Sequence, residues 1–217
     1  MKKLGFLAII AIMSFSTVNA QEVRMGIKGG VNFANIGGDN TDGLDGLTGF
    51  HLGGLVEIPV TERFAVQPEV LYSAQGAKRE ITRSFGDVSF KATGKTKLDY
   101  INVPILAKYY LVDGLAVEAG PQVGFLVSAN SKSELDLNGI DPDIANSIEQ
   151  EFESGDIDIS DQTQGIDFGL ALGASYRLNM GVFFGARYTL GLSNIHKDSG
   201  DFKNQNNVFQ LSAGYSF

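Results

Sequence analysis

The chain is predicted to be all-β: an eight-stranded, antiparallel, up-and-down transmembrane β-barrel. Three observations carry that prediction. Apolar and polar residues alternate with period two through eight separate segments of the 217-residue chain. The apolar parity of those segments holds no charged residue. The connections between them alternate short and long along the chain, the pattern of a barrel with tight turns at one rim and long loops at the other.

Residues 1–20 stand apart from this pattern. Lys2 and Lys3 precede an apolar run from Leu4 to Met13, and Val18-Asn19-Ala20 offers a small-residue cleavage site. The run is too short to span a bilayer as a helix. It reads as a cleaved export signal, leaving residues 21–217 as one barrel domain. Residue 21 is Gln, so no lipid-anchoring cysteine follows the cleavage site.

The first strand sets Val23, Met25, Ile27, Gly29, Val31 and Phe33 against Arg24, Gly26, Lys28, Gly30 and Asn32. The pattern returns over residues 50–58, 64–74, 101–109, 115–127, 166–178, 182–192 and 209–217. Short turns are expected at 60–63, 112–114 and 179–180, and long polar loops at 34–46, 77–97, 128–165 and 193–206. Pro68, Pro104 and Pro121 fall inside these strands, where proline removes a ladder donor. They are expected to mark bulges, strand ends or positions beyond the paired region.

Alternation alone leaves two burial senses open. A soluble barrel would turn its apolar face inward around a ligand, whereas a membrane barrel turns it to lipid. Glycine favours the second. The chain has 27, and many lie on the polar parity (among them Gly26, Gly30, Gly53, Gly120, Gly124 and Gly214), as a narrow lumen requires. Tyr72, Tyr109, Tyr176, Tyr188 and Tyr215 lie on the apolar parity, where an interfacial girdle belongs.

The polar parity carries Arg24, Lys28, Lys108, Arg177 and Arg187 against Glu57, Glu69, Glu118 and Asp167. Charges cannot sit unpaired in a narrow, low-dielectric interior. They are expected to pair across strands and plug the lumen, since eight strands leave just enough room for side chains.

The chain closes on Leu211, Tyr215 and Phe217 of one parity. That ending resembles the C-terminal signal read by the barrel-assembly machinery of diderm bacteria. With the stretches 26–32, 68–73, 102–110 and 120–124, the whole mature chain resembles the outer-membrane β-barrel (porin-like) domain family common in Bacteroidota. The resemblance implies the cell outer membrane as location, and outer-membrane lipid and the assembly machinery as partners.

Catalytic signals are sparse. The two histidines, His51 and His196, lie on the polar parity of the second strand and in the fourth loop, and no Gly-x-Ser-x-Gly elbow is present. With no cysteine, disulfides and thiolate sites are excluded. No cofactor is expected. The net charge of −8, or −10 without Lys2 and Lys3, argues against a nucleic-acid partner.

Much of the acidity lies in one loop, 134–161, holding Glu134, Asp136, Asp141, Asp143, Glu149, Glu151, Glu153, Asp156, Asp158 and Asp161 opposed by Lys132. Loose contact with divalent cations is expected there, and a short helical turn at 147–153. A specific calcium loop is disfavoured, because Asp161 stands where its glycine belongs. The function expected is a non-enzymatic, porin family-like outer-membrane barrel with a plugged lumen, its surface loops serving envelope structure or interaction. The alternatives are a soluble exported barrel binding an apolar ligand, or a lumen or rim enzyme.

Overall fold

The structure is a computed structural model describing residues 23–39, 41–152, 156–197 and 202–217. The predicted export signal lies outside the described residues. Its strands are β1 (Arg24–Gly38), β2 (Leu44–Pro59), β3 (Phe64–Phe85), β4 (Val88–Val112), β5 (Leu115–Asn138), β6 (Ile157–Asp158), β7 (Ile166–Arg177), β8 (Val182–Gly191) and β9 (Asn204–Ser216), with one helix, α1 (Pro142–Phe152), after β5.

Eight of these strands close a ring in the order β1-β2-β3-β4-β5-β7-β8-β9. Each is antiparallel to its neighbours, and β1 pairs with β9 to complete the ring. The two-residue β6 lies outside it, bound to Asn130 and Ser131 of β5. A closed ring leaves no open sheet edge, which is what a strand-built membrane span demands.

The burial sense is inverted relative to a soluble protein. Ile27, Leu52, Val70, Ile105, Leu172 and Leu211 point out and are exposed, while Lys28, Glu57, Glu69, Glu118 and Arg187 are buried inside. This excludes the soluble barrel with an apolar ligand-holding lumen. The outward face needs a partner that accepts hydrocarbon surface, and lipid is that partner. Tyr109, Tyr176 and Tyr215 lie on this face near the rim that holds the three short turns, the start of β1 and the end of β9.

The opposite rim departs from the loop prediction. Residues 77–97 form no loop: β3 and β4 continue as a hairpin to Phe85↔Val88, turned by Gly86 at φ 62° and Asp87. β5 runs alongside to Asn138. Together the upper parts of these strands form a three-stranded projection beyond the ring. Alternation is weak there because both faces meet water, while the backbone pairing remains. The helix also begins earlier than expected, at Pro142. Loop 34–46 is shortened by strand at both ends, and loop 193–206 at its C-terminal end, where β9 begins at Asn204.

The three prolines sit within paired strands, beside breaks in the ladder. Pairing of β2 with β3 passes from Leu55↔Glu69 to Ile58↔Val66 around Pro68. Pairing of β4 with β5 passes from Pro104↔Gln122 to Ala107↔Ala119. The missing proline donor is thus absorbed locally, without displacing the strand.

Glycine is required where strands meet closely. A β-carbon on Gly30 would fall on the Leu211 carbonyl across the closing β1–β9 seam and against the His51 ring. Gly30→Val is therefore expected to block closure. Unheated gel electrophoresis of the refolded variant should show loss of the fast-migrating folded band, whereas Gly54→Val, with only a distant backbone neighbour, should retain it.

Candidate functional site: the filled lumen and its surface end

Inward parity delivers charged side chains from seven strands into one cluster. Glu69 on β3 is 2% exposed. It accepts from Lys28 Nζ of β1 at 3.2 Å and from both terminal nitrogens of Arg187 on β8 at 2.8 Å each. Gln67 Nε2 adds a bond at 2.6 Å. Arg187 bridges onward to Glu118 of β5 through Nε at 2.9 Å and Nη2 at 2.7 Å. Its fork geometry makes this bidentate pairing possible.

Nearer the short-turn rim, Glu57 of β2 accepts from Lys108 Nζ at 2.8 Å, Arg24 Nη1 at 3.0 Å and the Tyr110 hydroxyl at 2.8 Å. Arg177 approaches the same carboxylate at 4.0 Å. Eight of the nine charged residues singled out from the sequence therefore meet: five cations and three carboxylates. The surplus of positive charge falls on Arg24 and Arg177, whose side chains are 37% and 25% exposed at the rim. Water there solvates what the lumen cannot neutralise.

Asp167 is the exception and corrects the expectation. It lies at the opposite end of the lumen and accepts from the Ser193 hydroxyl at 2.5 Å. Its parity points inward, but its height along the barrel keeps it from the cation cluster. The serine hydroxyl stands where a cation was expected.

Between these levels lies a neutral layer that charge-based reading of the sequence passes over. Asn32 Oδ1 accepts from Gln210 Nε2 at 3.0 Å and contacts His51 Nδ1 at 2.8 Å. A carboxamide oxygen only accepts, so Nδ1 of His51 carries the proton and Nε2 accepts from the Ser212 hydroxyl at 2.8 Å. Asn206 bonds Gln75 one level higher. Asn, Gln and Ser on the inward parity were the available signal. Ser212, His51 and Asn32 thereby form a hydroxyl–imidazole–carboxamide chain, the order of a nucleophile, base and orienter, set in the lumen with the His51 ring buried. His196 is exposed at the surface end.

Above the amides the filling becomes apolar. Leu98, Tyr100, Ala129 and Ile195 form a buried cluster, with Ile36, Leu126 and Ile159 packed against it. Among the ion pairs below, the remaining void measures about 30 Å³, roughly the share of one water molecule.

The acidic loop is differently arranged from its sequence pattern. Glu134 accepts from Lys95 at 2.9 Å and pairs with Lys132 at 3.0 Å, so two lysines oppose it. These contacts hold its carboxyl down at about 2. Asp158 accepts from the Ser160 amide at 2.8 Å. Among the described residues no three His, Asp or Glu side chains gather as a metal site.

A closed ring with hydrocarbon-compatible residues outside and a polar interior hydrogen-bonded at most of its buried atoms, Thr189 Oγ1, Asn206 Oδ1 and Gln210 Oε1 excepted among the described residues, defines an integral β-barrel of the outer membrane. The chain belongs to the outer membrane protein beta-barrel domain family, whose model matches residues 19–197. No curated protein matches the sequence. Among solved structures it is similar to Ail, the attachment invasion locus protein of Yersinia pestis, at 14% identity and TM-score 0.49, covering 91% of this chain and 100% of that one. It is also similar to Neisserial surface protein A, at 14% identity and TM-score 0.43, covering 90% and 98%. The corresponding values for OprG from Pseudomonas aeruginosa are 16%, 0.39, 89% and 95%.

Two measurements check this site. Glu69→Gln leaves Lys28 and Arg187 buried without their carboxylate, and should cost about 3–5 kcal/mol in denaturant unfolding from lipid vesicles. Asp167→Asn, whose main contact is one hydroxyl, should cost about 1 kcal/mol. At the surface, the Glu134 carboxyl should titrate near 2 by NMR, and Lys95→Met should raise that midpoint. Because the folded value is depressed, its contribution is present above the ordinary carboxylate range and fades as pH falls toward 2.

Proposed function

We propose that the chain is a non-enzymatic, non-conducting outer-membrane protein that acts at the cell surface, in interaction or envelope structure. The supporting observation is the Glu69–Arg187–Glu118 cluster lying across the lumen. A solute would have to break buried, charge-assisted bonds at that level, and the neighbouring void holds about one water. The burial of His51 and Asn32 inside the filled lumen supports a structural role for them.

Length also favours surface action. β3, β4 and β5 have 22, 25 and 24 residues, against 10 in β8. About 9–11 suffice to span the hydrocarbon core. The surplus is rigid, paired sheet outside the membrane, well suited to presenting side chains to a partner. Its companion partners are outer-membrane lipid along the apolar band and, through Leu211, Tyr215 and Phe217, the assembly machinery. Export by a cleaved signal at residues 1–20 precedes both. Divalent cations would only screen the acidic loop loosely.

Single-channel recording of the refolded protein in a planar bilayer tests this reading. The expected trace shows no stable conductance step. A reproducible large step would restore a pore function. Glu118→Ala combined with Arg187→Ala, which removes a cross-lumen pair together, should raise leak conductance if that pair seals the barrel.

A further inference from the structure

The described residues leave space at the surface end of the lumen. Above the apolar cluster lies a cup of about 360 Å³, within the roughly 300–1,000 Å³ range of small-molecule sites. Its floor is Leu98, Ile36, Ile159 and Ile195. Its wall includes Thr96 and Gly94 of β4, and Arg79 of β3 stands directly across from Gly94. A plug that served packing alone would place a side chain in this space. The sequence places Gly94 there instead. Among the described strand glycines, Gly94 alone would put a β-carbon in open space, and its φ lies outside the positive region that demands glycine.

Cations outnumber carboxylates among the described residues that line the cup, Lys78 and Arg79 against Asp39. Arg79 Nη2 donates to the Asp42 carbonyl at 2.7 Å, a neutral acceptor that leaves the guanidinium charge unopposed. Asp39, the one carboxylate in the lining, accepts from the Lys203 amide at 3.0 Å. We propose that this cup binds a small amphiphile with an apolar body and an anionic end, of which a medium-chain fatty carboxylate is the simplest case. The hydrocarbon rests on Leu98 and Ile195 beside Gly94, and the carboxylate meets Arg79 at the rim. The inference rests on the reading of a barrel closed below and deepens it: the ligand is held at the surface without passing through.

The chain contains no tryptophan, so Phe202→Trp at the cup gives a single reporter. The full chain, refolded in nanodiscs, is titrated with 10-bromodecanoate, whose bromine quenches indole on contact. Saturable quenching is expected. Adding Gly94→Phe, which fills the cup, should abolish it, and Arg79→Ala should weaken it by about tenfold, the loss of one charge-assisted contact. Thr96→Phe provides a second filling variant, and fast gel migration verifies folding of each. Ile105→Trp on the lipid face should show only the non-saturable quenching of partitioned probe. Quenching at Phe202→Trp that is likewise non-saturable, or that survives both filling variants, overturns the proposal. Bilayer conductance is read separately, so a leaky barrel and an empty cup are distinguishable failures.

Discussion

The carboxylate of Glu69 governs how this barrel is built. It is almost fully buried, so its charge survives only if cations reach it with correct geometry. Lys28 does so from β1, two strands away from β3, and Arg187 from β8, directly across the ring. That requirement fixes more than one contact. Register must place all three side chains at one height and on the inward parity, because a one-residue slip would send each into lipid. Arg187 then recruits Glu118 from β5, while Glu57 and Lys108 join β2 to β4 one level below. Strands that are not neighbours in the ring become tied through its centre. Side chains of this size fit only where the opposing wall is thin, and inward glycines such as Gly53 and Gly120 provide thin wall.

The parity of the fold was legible in the sequence because the membrane penalises error steeply. A charge on the lipid face near the midplane costs about 2–4 kcal/mol, and the apolar parity accordingly contains none. Height is written far less clearly. Asp167 has the correct parity, and only the stagger of the strands puts it beside Ser193 and away from Arg187. Partner identity has the same limit: Arg187 and Glu69 are 118 positions apart, with nothing local linking them. The amide layer was hidden for another reason. Asn32, Gln75, Asn206 and Gln210 carry no charge, so a search weighted toward ionisable groups passes over the polar filling that occupies the middle of the lumen.

The projection shows where periodicity ceases to report structure. Within the bilayer, two faces of a strand meet different media and alternation follows. Beyond it, both faces are wet, so residues 77–97 look like loop while Lys78↔Lys95 and Glu80↔Thr93 remain paired. Charge pattern replaces hydrophobic pattern as the organising signal. Lys78, Lys95 and Lys132 stand directly opposite one another across three strands, an arrangement that by itself is destabilising. The adjacent row supplies the compensation. Glu80 pairs with Lys78 and Lys91, and Glu134 with Lys95 and Lys132. Such exposed pairs contribute little singly, but shared carboxylates couple the strands and hold the sheet extended.

Filling therefore changes character along the barrel axis, and each change follows the solvent available. At the short-turn rim, surplus cations can reach water, and five share three carboxylates. At mid-depth no water is at hand, and the groups are neutral amides bonded to one another. At the outer end, Leu98, Tyr100 and Ile195 seal the polar column from above. That apolar seal is also the one part of the interior wall turned toward the cell's surroundings. Ion pairs occupy the lumen toward the short-turn rim, and the apolar cluster at the other end gives the cup its floor.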